Sequence, residues 1–196
     1  MKRAIAICLL ALPFLVSCAY NIPYHPTNRY EEIENQKAYL DVYPDDVRSN
    51  INLYTNVIVG WVGVIQSTDA KDDENSTLIN AVTTLDHHYF DWEEDRLVTE
   101  QKLIVSPRGE GLIRAEYQMV RHDPEAKAVA AEQFAAPGKL AVIYGTPESL
   151  DGDTIVLKYR YMRVYDKNFS TNILDYGRFG QPFKYIGPKV KSARRW

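Results

Sequence analysis

The chain is 196 residues long, with a quarter of them charged and a formal net charge of −3. That length suits one domain with a substantial core. The weakly acidic balance gives no electrostatic ground for a nucleic-acid partner, and two cysteines, Cys8 and Cys18, are too few for a disulfide scaffold.

The chain begins with a targeting pattern. Lys2 and Arg3 form a basic start, residues 4–16 are an apolar run, and the small Ser17 precedes Cys18. This is the layout of a secretory signal peptide. The 13 residues of the run would span about 20 Å as a helix, short of the ~30 Å hydrocarbon layer that a membrane-spanning helix must cross. The tetrapeptide Leu15-Val16-Ser17-Cys18 resembles the lipobox of bacterial lipoproteins. The resemblance implies that residues 1–17 are removed, that the Cys18 thiol carries a diacylglycerol, and that the new amino terminus is acylated. Ala19 stands where an aspartate in that family retains proteins at the inner membrane. The implied address is therefore the cell outer membrane, with the domain facing the periplasm or the surface. Several acyl chains hold far longer than one, because each buried methylene contributes about 0.8 kcal/mol. Cleavage would remove Lys2, Arg3 and Cys8, leaving 179 residues, a formal charge of −5 and no free thiol.

Residues 18–36 read as a lipid-anchored tether. Pro23 and Pro26 favour extended backbone and no period is visible, apart from a weak helical stretch from Tyr30 to Lys37. Residues 53–66 are rich in β-branched and aromatic side chains and read as a strand. Both of its faces are partly apolar, as where a strand is covered on both sides or curls through a small barrel. Gly60 and Gly63 mark bends within it. A polar hairpin follows over 69–76, then strands over 77–85, 97–105 and 112–120, with Ser106-Pro107-Arg108-Gly109 as a turn.

Asp123-Pro124-Glu125 is a helix start, with an aspartate cap, proline at the first helical position and an acid in the first turn. The alanine-rich stretch 126–136 continues that helix and Pro137-Gly138 ends it. Residues 139–144 read as a strand entering a turn at Gly145-Thr146-Pro147, and Leu150-Asp151-Gly152-Asp153 as a tight turn. Residues 154–164 alternate, which puts Ile155, Leu157, Tyr159 and Tyr161 on one face and Lys158 and Arg160 on the other. Residues 171–196 read as an irregular basic tail ending in Arg194, Arg195 and Trp196. Five or six strands, several bent at glycine, with one helix before the last of them, predict a mainly β fold. The expected architecture is a small OB-like β-barrel over 37–170 with one inserted helix; a β-sandwich is the rival.

Three blocks of this pattern resemble the Slp-type, starvation-inducible outer-membrane lipoproteins. The first is Trp61-Val62-Gly63-Val64-Ile65 with Thr77-Leu78 and Leu85-Asp86, similar to a Gly-x-Ile strand and hairpin ending near a Leu-Asp pair. The second is Ser106-Pro107-Arg108-Gly109 with Asp123-Pro124-Glu125. The third is Gly138-Lys139-Leu140-Ala141-Val142 with Gly145, Gly152 and Tyr159-Arg160-Tyr161, similar to a glycine-flanked strand followed by a Tyr-x-Tyr strand. The likeness spans 57–165 and rests on structural glycines and strand residues. It departs from the family at Asp123, where an alanine-rich stretch replaces a tyrosine segment, and after Tyr161, where a tryptophan is missing. The resemblance implies a short helix or turn around 40–47 and an envelope role linked to starvation or stress.

Chemistry-bearing residues are few. His87-His88 lies beside Asp86 and Asp91, a set that holds zinc in other settings. Neighbours on a strand point to opposite faces, so the pair is expected in a polar loop and no metal is assigned. Asp91-Trp92-Glu93-Glu94-Asp95 reads as a solvated acidic turn rather than a pair of catalytic carboxylates. No serine sits on a nucleophile elbow and no phosphate loop is present, so no catalytic residue and no cofactor are expected. Trp61, Tyr159 and Tyr161 are a candidate binding face, since rings with polar tips suit partners and sugars; core packing is the competing reading. The basic tail from Lys184 is either solvated or in contact with anionic lipid.

The expected function is a lipid-anchored, non-enzymatic outer-membrane protein, bound to the membrane through Cys18 and meeting an envelope partner there. The rival is a ligand-binding module that holds a glycan or lipid in the barrel mouth. A barrel filled by its own side chains favours the first, and a cavity with converging polar groups favours the second.

Overall fold

The computed structural model describes residues 21–72, 78–97, 100–106, 109–120 and 129–168. Cys18, the signal segment, the helix start at Asp123 and the basic tail lie outside the described residues.

Five strands make a closed barrel: β2 (Val59–Asp72), β3 (Leu78–His88), β6 (Leu112–Val120), β7 (Lys139–Asp151) and β8 (Thr154–Asn168). Their order is β2-β3-β6-β8-β7, with β7 pairing back onto β2. Every pair is antiparallel except β6 with β8, which run parallel from Ile113↔Ile155 to Glu116↔Lys158. Parallel neighbours need a long crossover. Here it passes through helix α3 (Val129–Phe134) and β7. This is the small barrel with an inserted helix that the strand pattern predicts.

Period-2 alternation fills the barrel. Ile79, Ala81, Thr83, Leu85 and His87 of β3 all point inward and are buried. They meet Trp61 and Ile65 of β2, Ile113 and Tyr117 of β6, Ile143 of β7 and Leu157 of β8. Val47, from the short helix α2 (Pro44–Ser49), and Ala135, just after α3, add to this interior from outside the strands.

A second layer covers one outer side of the barrel. It is a three-stranded sheet, ordered β1 (Asn21–Pro23), β4 (Phe90–Leu97), β5 (Glu100–Val105). Phe90, Leu103, Val105 and Tyr24 pack on the outward residues Val62, Val64, Leu140, Val142 and Tyr144. The strands β2 and β7 are therefore apolar on both faces. Gly60 lets the layer come close: a Cβ there would stand 2.8 Å from Leu40 Cδ2 and 3.1 Å from Trp92 Cη2.

Several segments differ from the sequence reading. Residues 21–36 are not a bare tether but contain β1 and most of helix α1 (Arg29–Lys37), seated by Tyr24 and Glu31, both buried. The first barrel strand begins at Val59 rather than 53, because Ile51–Leu53 form a 3-10 helix followed by a turn over 54–56, and it runs past Gln66 through a bulge. The run Asp91-Trp92-Glu93-Glu94-Asp95 is strand β4, not a turn, since β1 and β5 pair with it on both sides. Gly145-Thr146-Pro147 is not a turn either: β7 runs through it and absorbs it in irregular register with β8.

Candidate functional site

The structure does not bring Trp61, Tyr159 and Tyr161 onto one face. Trp61 is 2% exposed and lies inside the barrel, with its Nε1 donating to the Val42 carbonyl at 2.8 Å. Tyr159 also turns inward and stacks on Tyr117 at 4.8 Å between ring centres. Burial, then the neighbouring Tyr117, push its phenol up to about 12. Tyr161 turns the other way. Gly145 pairs with Tyr159 and Tyr144 with Tyr161, which leaves Arg160 as an extra residue in β8. Such a bulge reverses the alternation beyond it. Tyr161 therefore joins the outer cluster beside Tyr144, and Met162 takes the inward place.

The same bulge presents β8 to α1. Asn28 caps α1 by accepting from the Tyr30 and Glu31 amides at 3.0 Å, and its Nδ2 donates to the Tyr161 hydroxyl at 2.7 Å. Arg160 makes a two-pronged ion pair with Glu34, which holds that carboxyl below its ordinary value. Glu31 is fully buried. It accepts from the Tyr24 hydroxyl, from Thr27 N at 2.9 Å and from Thr27 Oγ1 at 3.2 Å, and Arg163 Nη1 lies 3.6 Å away. Burial, reinforced by neighbouring tyrosines and Glu31, drives the Tyr24 phenol far up, so it stays a donor. This cluster is a polar seat for the N-terminal segment.

His87 and His88 lie on β3, not in a loop, and point to opposite sides. His87 is buried in the barrel, edge-on to Trp61 at 6.1 Å, with Nδ1 3.3 Å from Glu110 Oε2. Burial lowers its pKa against the pull of Glu110. His88 Nδ1 is 2.6 Å from the Ser106 carbonyl. Arg48 of α2 closes this end of the barrel by donating to the Glu110 carbonyl at 3.1 Å and the Asp153 carbonyl at 3.0 Å. Gly111, at φ +120°, leaves room for that guanidinium where a side chain would collide with it. Among the described residues no three His, Cys, Asp or Glu side chains are grouped to hold a metal ion.

The outward face of β3 and β6 carries Asn80, Thr84, Arg114, Glu116 and Gln118. Asn80 bonds Gln118 at 3.0 Å and Arg114 pairs with Asp151 at 2.7 Å. This face of an OB-like barrel receives oligonucleotides or oligosaccharides in other proteins. Here it is charge-balanced, and its described strand residues include no aromatic ring.

The aromatic rings gather elsewhere. A groove of about 430 Å³ runs between Ala38, Tyr39, Leu40, Asp41 and Tyr43 on one side and Tyr89, Phe90 and Trp92 on the other. Its first wall is fixed by a parallel bridge, with Tyr39 N donating to the Ile58 carbonyl at 2.8 Å. Its second wall is fixed by Ser106, whose Oγ accepts from Tyr89 N at 2.9 Å. Tyr43 stacks on Tyr89 at 5.5 Å and joins the two. Trp92 has φ +56°, the one non-glycine residue with positive φ among those described. It lies where the pairing of β4 with β5 slips between Phe90 and Glu94. None of these residues was a sequence candidate. The alternation Phe90-Asp91-Trp92-Glu93 was the available signal. Among known proteins, no family model and no curated protein matches this chain.

Proposed function

We propose that this chain is a lipid-anchored, non-enzymatic protein of the bacterial outer membrane, akin to the starvation-related Slp-type lipoproteins it resembles. The observation that carries this reading is how near the first described strand lies to Cys18. Asn21 already pairs with Asp95, three residues after Cys18. Cleavage before Cys18 would leave every described element whole, whereas processing beyond Asn21 would cut into β1. Three extended residues reach about 10 Å, so acyl chains on Cys18 would hold this domain against the lipid headgroups.

The rest of the geometry favours contact through the outer surface. The barrel interior is occupied by Trp61, Tyr117 and their neighbours, and α2 is pinned over one end. That arrangement supports a partner-binding protein over a module with a ligand in the barrel mouth. The charge-balanced outer face of β3 and β6 supports the absence of a nucleic-acid partner. Metabolic labelling with palmitate tests the anchor. The native chain should be labelled and sediment with outer membranes, and Cys18→Ala should remain an unlabelled precursor. Normal processing of Cys18→Ala would overturn the reading.

A further inference from the structure

We propose that the outward face of helix α1 rests on the phospholipid headgroups of the anchoring membrane, with Tyr30 and Ile33 entering the headgroup layer and Arg29 and Lys37 meeting its phosphates. The inference deepens the proposed function and rests on acylation of Cys18. It adds the orientation of the domain on the membrane, which a lipid anchor alone does not set.

Three observations lead to it. The first is an inverted polarity. A surface helix ordinarily turns its apolar residues to the core and its charges to water. Helix α1 does the reverse. Its inward side is polar: Glu31 is fully buried, Asn35 accepts from the Tyr144 hydroxyl at 3.1 Å, and Glu34 pairs with Arg160. Its large apolar side chains face out, Tyr30 at 76% exposure and Ile33 at 37%. At about 3.6 residues per turn, Arg29, Ile33, Lys37 and Tyr30 fall within one stripe about 100° wide, and all four are exposed. The second is charge. The chain as a whole is acidic, but the carboxylates of Glu31 and Glu34 are turned toward Arg163 and Arg160. Glu32, also exposed, lies outside the stripe and accepts from Gln36 at 3.3 Å. The stripe thus joins two cations to a phenol and an aliphatic side chain. A helix lying in a membrane interface has this composition, with basic groups at the phosphates, tyrosine at headgroup level and the apolar side chain below. The third is position. Tyr24 lies six residues after Cys18, about 20 Å at full extension, and its hydroxyl donates to Glu31 of α1. The short length of chain that ties the domain to the lipid therefore ends on this helix. That length limits how far the domain can stray but leaves it able to tilt, and α1 fixes the tilt.

A second copy of the chain is the other surface that could cover this stripe, and the experiment separates the two. The full chain is produced in bacteria, purified and reconstituted into vesicles of phosphatidylethanolamine and phosphatidylglycerol. A photoreactive benzophenone amino acid replaces Ile33 in one sample and Asn80 in another. Asn80 is exposed on β3, which stands across the barrel from β7 and β8, where α1 packs. One flat surface cannot meet both positions. Both chains should sediment with the vesicles, and light should join phospholipid to position 33 about fivefold more than to position 80. Arg29→Glu with Lys37→Gln alters only exposed side chains. This double variant should still sediment, while the lipid adduct at position 33 falls about fivefold. Equal adducts at the two positions, a dimer of the chain at position 33 in place of lipid, or an adduct that survives the charge change would overturn the proposal with the anchor intact. A chain that does not sediment would overturn the anchor, and this proposal with it.

Discussion

The two cores of this protein are built on different principles. The barrel interior is almost wholly apolar, and its few hydroxyls satisfy one another: Thr83 bonds both Thr68 and Tyr117 at 3.0 Å. The outer layer is aromatic and encloses a buried carboxylate, Glu31, among Tyr24, Thr27 and Arg163. Apolar packing is non-directional and tolerant of exchange. A buried carboxylate is unforgiving, because losing one partner strands the other without water. The first core makes the barrel. The second fixes one particular arrangement of the N-terminal segment upon it.

The largest expected effect should fall on the outer layer. Glu31→Ala removes the buried carboxylate that Tyr24, Thr27 and Arg163 face and should cost about 3–5 kcal/mol, the scale for breaking a buried pair. The loss should appear first in hydrogen exchange of the α1 amides, with the β3 amides still protected. The double change Glu31→Leu with Arg163→Met should recover much of that loss, which would sharpen the contrast with the interior. In the barrel, Leu85→Ala should cost about 2–5 kcal/mol through a cavity. Here urea unfolding should weaken as a whole, with α1 and β3 losing protection together. If both variants failed in the same cooperative way, the distinction between two cores would be broken.

Smaller effects depend on pH. Burial lowers the native pKa of His87 below the ordinary 6.5. Between the two values the unfolded chain binds a proton that the native one does not, so stability falls as pH drops below about 6.5 and levels off under the native pKa. His87→Gln should flatten the melting temperature over that window. Glu34 titrates in the same sense, because Arg160 depresses it. Its contribution is full above about pH 4.5 and fades as pH falls through its lower native value. The pair is partly exposed, so Glu34→Gln should cost at most about 1 kcal/mol at neutral pH, and nothing in strong acid.

The barrel was readable from local pattern. Alternation from Ile155 to Tyr159 reflects burial that the segment states for itself, whereas the break in β2 falls between Ile65 and Ser67 and not at Gly60 or Gly63. What escaped depends on partners. The turn of Tyr161 away from Tyr159 is imposed by where Tyr144 and Gly145 fall in β7. Strand β4 alternates over Phe90-Asp91-Trp92-Glu93, but the acidic run masked that period. The seat of residues 21–37 rests on single polar contacts such as Glu31 with Arg163, and these leave no periodic trace. The aromatic groove joins residues 38–43 to 89–92, and no spacing along the chain reports such a meeting.

The parallel seam between β6 and β8 has a consequence for the order of assembly. It joins only Ile113–Glu116 to Ile155–Lys158, and β8 is the last described strand to be synthesised. Until that strand emerges the cylinder stays open, and α1 has no Arg160 or Arg163 to grip. Long-range closure of this sort is slow. A chain that cannot lock until β8 has been made stays loose through most of its synthesis, and its two cores become compact together and late.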